Sequence, residues 1–336
     1  MDKTELQVLP APPNLFTSLR AGFDAIANQI GVILIPIAID LLLWMGPHLQ
    51  VKSLLNSYFN SLLSASSLNS LQSGDLLSTV IDALRSIASQ FNLLSFLRTI
   101  PVGIPSLMAS RQPLQIPNGS PVFIDITNPI IVLGVIFGLI ILGLVTGSIF
   151  YLLVARVSLH NHSNPRNILR EWTWASLQVL SLAAAMILLF IIISIPSSCV
   201  ISAIALIGIP LGQFAVFLYF GVLLWLAFPL LFSAHGIFVN HNNALVSVQR
   251  SMTLTKMTLP TTSIFFLSIL VLSEGLNILW RVPPETSWLT LLGLAGHAFI
   301  TSALLAASFI YYRDADHWSQ ETLKLLKSKK EAIVKY

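Results

Sequence analysis

The chain has 336 residues, 55% hydrophobic and 10% charged, with a formal net charge of +4 and a mean hydropathy of +0.80. Soluble domains carry roughly 25% charged residues, so a chain this apolar points to lipid as its solvent. The small positive excess gathers near the C-terminal end and gives no basis for nucleic-acid binding; the single cysteine, Cys199, excludes an intramolecular disulfide and any multi-cysteine metal site.

The first 14 residues are polar and proline-rich, and the first apolar run begins near Ile30 without a credible cleavage site. That run is expected to stay as a transmembrane anchor rather than to be removed as a signal. About 20 apolar residues in a helix cross about 30 Å of hydrocarbon. Six stretches qualify, at roughly 28–46, 129–156, 174–196, 210–235, 260–280 and 288–312. Asn128-Pro129, Pro210 and Thr261 stand at helix starts, where a cap or a proline costs little.

The stretch 199–239 is too long for one span. Either it holds two spans, giving seven helices, or 197–209 is a short re-entrant or interfacial piece between Pro196 and Pro210, leaving six. The basic residues favour six. With the N-terminus inside, the cytoplasmic side collects Lys3, Arg20, Arg156, Arg166, Arg170, Arg250, Lys256, Arg313 and the tail lysines, and the short outer loops hold only Arg281. The expected fold is all-α: a polytopic six-helix transmembrane bundle with interfacial amphipathic helices and internal hairpin repeats. It divides into a cytoplasmic N-terminus, lead-in helix and first span (1–46), an extracytoplasmic amphipathic cap and loop (47–127), a five-span bundle with two repeated hairpin units (128–313), and a basic amphipathic cytoplasmic tail (314–336).

Within 47–127, Leu54, Leu55, Tyr58, Phe59, Leu62 and Leu63 fall on one helical face, and Leu77, Val80, Ile81, Leu84, Ile87 and Phe91 on another. With so few charges, these helices are expected on the membrane surface or against the bundle. The following proline-rich stretch reads as an extended loop. Asn118-Gly119-Ser120 fits a glycosylation acceptor, although Asn-Gly before Ser-Pro is more often a turn.

A short phrase occurs twice, as Asn161-His162-Ser163-Asn164 and Asn240-His241-Asn242-Asn243. Three segments share one design. Asn14 precedes Leu15, Phe16, Leu19, Phe23 and Ile26; Asn164-Pro165 precedes Ile168, Leu169 and Trp172; Asn243 precedes Leu245, Val248 and Met252. Asparagine is a good N-cap and proline suits the first helical position. Each helix carries one arginine about two turns in: Arg20, Arg170 or Arg250. The repeating unit is therefore an amphipathic lead-in helix that bends into a span, followed by a returning span. A capped, arginine-bearing lead-in at the positive side is also what any membrane hairpin requires.

The segment from Asn243-Ala244-Leu245 through Arg250-Ser251-Met252-Thr253-Leu254-Thr255-Lys256, followed by an apolar hairpin ending in Tyr311-Tyr312-Arg313-Asp314, resembles the last repeat of a broad bacterial class. That class includes the membrane domain attached to some glycerophosphodiester phosphodiesterases and related stand-alone six-helix proteins. The resemblance is good over 243–314 and only in outline elsewhere, and the long outer loop departs from the compact members. It implies a multi-pass protein of a bacterial plasma membrane, with both termini cytoplasmic. In such enzymes the chemistry sits in a separate soluble barrel that this chain does not encode, so phosphodiesterase activity is not implied.

Asp40 in the first span, Glu274 late in the fifth and His297 in the sixth are the candidate intramembrane polar cluster. A lone carboxylate in lipid is costly, so each must face the bundle, a cavity or the interface. As a cluster they fit a proton- or cation-linked site; as separate residues they are hydrogen-bonded ties near the outer end. Arg20, Arg170, Arg250, Lys324, Lys327, Lys329 and Lys330 are candidate headgroup contacts, the lysines on a tail whose other side carries Trp318, Leu325, Leu326 and Ile333. His160, His162, His235 and His241 lie on the cytoplasmic side without acidic or cysteine partners, so no metal is assigned. Gly134, Gly138, Gly143 and Gly147 stripe the second span and permit close packing with another span or a second copy, intramolecular packing being the default.

No catalytic residues and no cofactor are assigned. Three function classes follow. The first is a non-enzymatic scaffold or accessory protein that organises lipids, other membrane proteins or a homo-oligomer. The second is a transporter component using an intramembrane acidic site. The third is an intramembrane enzyme, for which no nucleophile and base cluster.

Overall fold

A computed structural model describes residues 12–66, 81–86, 91–111, 113–160 and 167–334. The chain is all-α apart from one small strand pair. The helices are α1 (Leu15–Asn28), α2 (Leu34–Met45), α3 (Lys52–Ser66), α4 (Pro129–Ser158), α5 (Ile168–Ile207), α6 (Ile209–Ala227), α7 (His235–Asn240), α8 (Ala244–Met257), α9 (Leu259–Trp280) and α10 (Thr290–Val334). Strands β1 (His48–Gln50) and β2 (Phe123–Asp125) pair in parallel, with His48 opposite Phe123. Among the described residues, five helical stretches are long and apolar enough to cross a membrane, and six if α1 and α2 with their intervening turn count as one broken span.

Asparagine caps begin three of the helices. Asn14 Oδ1 accepts the N–H of Phe16 at 2.9 Å, and Asn128 Oδ1 accepts that of Ile130 at 2.9 Å. Asn243 Oδ1 accepts the N–H of Val246 at 3.0 Å. Each cap satisfies a first-turn donor that has no partner within its helix. Asn161, His162, Ser163 and Asn164, half of the repeated phrase, and Lys3 and Arg166 lie outside the described residues, as do Leu77, Val80 and Ile87 of the cap. Among the described residues, the non-glycine positions with left-handed backbone are His160 and His241, at φ of 51° and 50°. By conformation, then, His160 is the counterpart of His241, whereas the repeated phrase aligns His162 with it.

The structure corrects the reading of 197–209. α5 runs unbroken through Pro196 to Ile207, and the chain turns only at Gly208 into α6. Proline removes one backbone donor. Ending the helix there would instead strand several backbone groups in an apolar environment, which costs more. The piece is neither a separate re-entrant segment nor an added span; it is the far end of a long helical hairpin. At 40 residues α5 is about 60 Å long. Two further expectations change. The second lead-in helix is continuous with its span rather than bent from it, and the tail from Asp314 onward continues α10 without a break. The first span is divided: a 3-10 turn, Ile30–Ile33, precedes an α2 of 12 residues, about 18 Å.

Contacts divide the chain into two compact units, each discontinuous in sequence. The first comprises residues 1–29, 151–272 and 303–336. Its core packs Phe232, Leu254, Phe265, Ala307, Tyr311 and Tyr312, with Phe265 and Tyr311 stacked at 4.1 Å. Gly22 lets α1 lie directly on α10, because a Cβ there would sit 2.5 Å from the Ala307 nitrogen. α5 and α6 pack side by side; the first half of α5 also buries Ala175, Val179 and Leu182 and packs against α7 and α8, and much of the rest of the hairpin is bare, with Phe217 and Trp225 each 76% exposed.

The second unit comprises 30–150 and 273–302. It is built around an irregular segment, 91–111, rather than around helix pairs. Leu107 and Met108 of that segment bury against Leu43, Trp44 and Leu294. Gly143 and Gly147 receive its backbone: a Cβ on Gly143 would lie 2.5 Å from the Leu97 carbonyl, and one on Gly147 3.0 Å from Gly103. Gly134 and Gly138 meet nothing within 4 Å. Half of the glycine stripe is thus packed, by a loop rather than by another helix.

Candidate functional site: polar ties inside two units

The structure puts Asp40, Glu274 and His297 in one unit and gives them separate surroundings. Asp40, fully buried on α2, receives three hydrogen bonds: from the Ser106 hydroxyl at 2.5 Å, the Met108 N–H at 2.9 Å and the Leu107 N–H at 3.2 Å. Ser106 in turn accepts the Ala109 N–H at 3.0 Å. Aspartate and serine together cap the short 3-10 turn Met108–Ser110, whose N–H groups would otherwise be stranded. His297 donates from Nδ1 to Asn277 Oδ1 at 2.8 Å, since the amide oxygen can only accept. That leaves its buried Nε2 as an unpartnered acceptor. Glu274 lies exposed on α9. No hydrogen bond joins any two of the three.

Neighbouring residues extend the Asp40 tie. Arg111 pairs with Glu285 at 3.0 Å and donates to the Pro283 carbonyl at 3.1 and 3.2 Å. Arg281 donates to the Ser110 hydroxyl at 2.9 Å, and Trp44 Nε1 to the Glu285 carbonyl at 3.0 Å. The irregular segments 106–111 and 281–289 are thereby fastened to each other and to α2. His48, just beyond α2, donates from Nε2 to the Leu43 carbonyl at 3.2 Å. Burial pushes its imidazole below the usual histidine range, and the bond to Leu43 opposes that only in part.

The other unit holds a second set of ties. Asp316 on α10 accepts from Asn240 Nδ2 at 3.0 Å and from Gln320 at 2.9 Å, and lies 3.8 Å from Arg250. Asn240 also donates to the Tyr312 hydroxyl at 3.4 Å. Arg250, Asp316 and Gln320 border a groove of about 350 Å³ between α8 and α10. Deeper in, Ser308 donates its hydroxyl to the Leu305 carbonyl, so its oxygen accepts from His235 Nε2 at 2.8 Å. The His235 ring lies 4.7 Å from Phe309 and 5.3 Å from Phe232. His235 is thus a buried tie at the start of a short helix. The lead-in helix α8 is fastened as well: Ser247 donates to the Ser233 carbonyl, and Ser251 donates to the Pro229 carbonyl at 2.7 Å.

The candidate headgroup cations differ in availability. Arg20 is 87% exposed with Asp24 at 3.8 Å, and Arg170, Lys324 and Lys327 are exposed. Arg250 is partly committed to Asp316. The side chains of Lys329 and Lys330 lie outside the described set. Among the described residues no three His, Cys, Asp or Glu side chains converge.

Sequence reasoning passed over Asp316 and Asn240. Their signal was present: Tyr312 and Asp316 stand four apart on one helix, facing the last residue of α7. Five long apolar helices and these internal ties define a multi-pass helical membrane protein. Compared with known proteins, the chain matches no family model, no curated protein and no solved structure.

Proposed function

We propose that this protein is a non-enzymatic scaffold or accessory protein of a bacterial plasma membrane, organising lipids or partner membrane proteins, with both termini cytoplasmic. The observation that carries the reading is the contrast among its spans. In the most apolar window of α10, 56% of residues are buried, against 17% in α5 and 6% in the stretch Pro210–Asn240. A helical hairpin so little covered by its own chain offers its surface to acyl chains or to another protein's helices. The resemblance to membrane domains that accompany a separate soluble enzyme belongs with this reading. The alternative, a transporter using an acidic site, draws on Asp40. Three donors already hold that carboxylate, which gives it the work of fastening a loop.

The test is recovery of the tagged protein from its native membrane in nanodiscs, with mass spectrometry of the proteins and lipids retained. A stoichiometric protein partner or a defined lipid set is expected. Solute flux in proteoliposomes that is lost in Asp40→Asn, with folding intact, would replace this reading by the transporter. For orientation, an impermeant thiol reagent applied to intact cells should leave a Ser328→Cys variant of the Cys199→Ser protein unlabelled. Labelling from outside would reverse the topology.

A further inference from the structure

The α5–α6 hairpin is not uniformly bare. Two grooves lie in series along one face of α5. The first, of about 340 Å³, is bordered by Gln178, Leu182 and Ala185 of α5 and by Asn243 and Leu245 at the start of α8. The second, of about 170 Å³, is bordered by Met186, Leu189 and Ile193 of α5 and by Leu223 and Ala227 of α6. Leu182 and Met186, and Ala185 and Leu189, are each four residues apart, so the grooves follow one another along the same helix surface.

The chemistry changes along that line. The second groove is lined by hydrocarbon side chains and one thioether. The first has a polar end, where two side-chain amide oxygens are already used. Gln178 Oε1 takes the Ala244 N–H at 2.9 Å, and Asn243 Oδ1 takes the Val246 N–H at 3.0 Å. Each side chain still has its amide NH₂ group to give. Trp174, one turn before Gln178, stands against His241 with ring centroids 6.2 Å apart. Arg170, two turns before Gln178 and exposed, adds a positive charge below it. The series runs from cation through interfacial aromatic and amide donors to an apolar channel. It matches an amphiphile with an anionic, acceptor-rich head and a hydrocarbon tail.

We infer that this stripe is a binding site for one anionic phospholipid: its phosphate and ester oxygens at Arg170, Gln178 and Asn243, and one acyl chain along Met186–Ile193 against α6. This rests on the reading of the protein as one that organises lipids, and it names where and which class. Acceptor-poor or cationic amphiphiles meet a surface of donors and a positive charge, so headgroup selectivity resides at Arg170 while the chain supplies affinity.

The experiment is native mass spectrometry of the full-length protein in mild detergent, titrated with phosphatidylglycerol or phosphatidylcholine. Ala185 and Ala227 are exposed within the grooves, so Ala185→Phe and Ala227→Phe fill the channel without entering a core. Matched elution and thermal profiles verify their folds. The wild type should retain one phosphatidylglycerol, and either variant should retain it about tenfold less, since the inserted ring occupies the channel and removes the van der Waals contacts between acyl chain and groove wall. Arg170→Gln should bind both lipids alike. Equal retention by wild type and Ala227→Phe overturns the site, as does a disulfide-linked dimer from Ala227→Cys, which would put a second copy in the groove. Neither result touches the scaffold reading, which fails if the wild type leaves native membranes with neither partner nor lipid, or if it carries the Asp40-dependent flux described above.

Discussion

Asp40 and Asp316 are both buried carboxylates in a membrane protein, and they solve the same problem in opposite ways. Asp40 serves a loop: two backbone N–H groups and a serine hydroxyl converge on it from 106–108. Asp316 serves helices: an asparagine, a glutamine and an arginine side chain from α7, α8 and α10 surround it. Irregular backbone inside a membrane protein is tolerated only where its polar groups are satisfied, so the unit containing 91–111 depends on one carboxylate. The helical unit satisfies its own backbone. Its aspartate joins elements that would still be helices without it. The cost of removing each should differ accordingly.

Asp40→Ala is expected to have the largest effect. It strands two buried N–H groups and one hydroxyl at about 1–3 kcal/mol each, for a loss of about 3–5 kcal/mol. The readout is a lowered melting temperature in detergent together with fast hydrogen exchange confined to 101–111. Asp40→Asn should recover only part of the loss, because one amide oxygen replaces two acceptors. Normal protection of 101–111 in Asp40→Ala would break the comparison. A second test moves to the loop's other side. Gly143→Val drives a side chain into the Leu97 carbonyl and should cost about 2–3 kcal/mol as overpacking. Gly138→Val, with nothing within 4 Å, should leave the melting temperature within a degree or two of wild type. Equal effects of the two would mean that another helix, rather than the loop, packs the stripe.

These ties also mark where sequence stops being informative. The apolar runs, their helical identity and the asparagine caps at Asn14, Asn128 and Asn243 were legible, because each depends on local spacing and residue type. The limit of α5 was not. Pro196 and Pro210 look alike as punctuation, yet one lies inside a helix and the other begins one, since the lipid phase penalises a break more than a lost donor. Asp40 was recognisable as buried and partnered, but its partners, one serine hydroxyl and two backbone N–H groups, lie 66–68 residues away, which no pattern encodes. The glycine stripe read as a helix-packing motif, although spacing alone cannot distinguish a neighbouring helix from a tightly packed loop.

On the helical side the expected changes are smaller. Asp316→Asn keeps one acceptor oxygen for Asn240 or Gln320 and loses the charge facing Arg250. With the arginine 41% exposed and the pair at 3.8 Å, screening limits the ionic part, so the loss should be about 1 kcal/mol. Arg250→Gln should cost less still, within about 0.5 kcal/mol. A loss for Asp316→Asn as large as that for Asp40→Ala would show that the helical unit also depends on a single hub.

The smallest expected effect is a pH dependence at His48. Its folded imidazole is held below the ordinary value of 6.5 by burial. The unfolded chain therefore binds the proton more readily, and folding stability rises with pH across that range. The contribution is fully present above about pH 6.5 and is lost as the pH falls toward the depressed folded value. Melting temperatures measured from pH 7.5 down to pH 5 should decline more steeply for wild type than for His48→Gln, whose amide can still donate to the Leu43 carbonyl but does not titrate. Parallel declines would mean that protonated His48 finds a partner in the fold, and that the loop-bearing unit accommodates charge at its edge as readily as the helical unit does around Asp316.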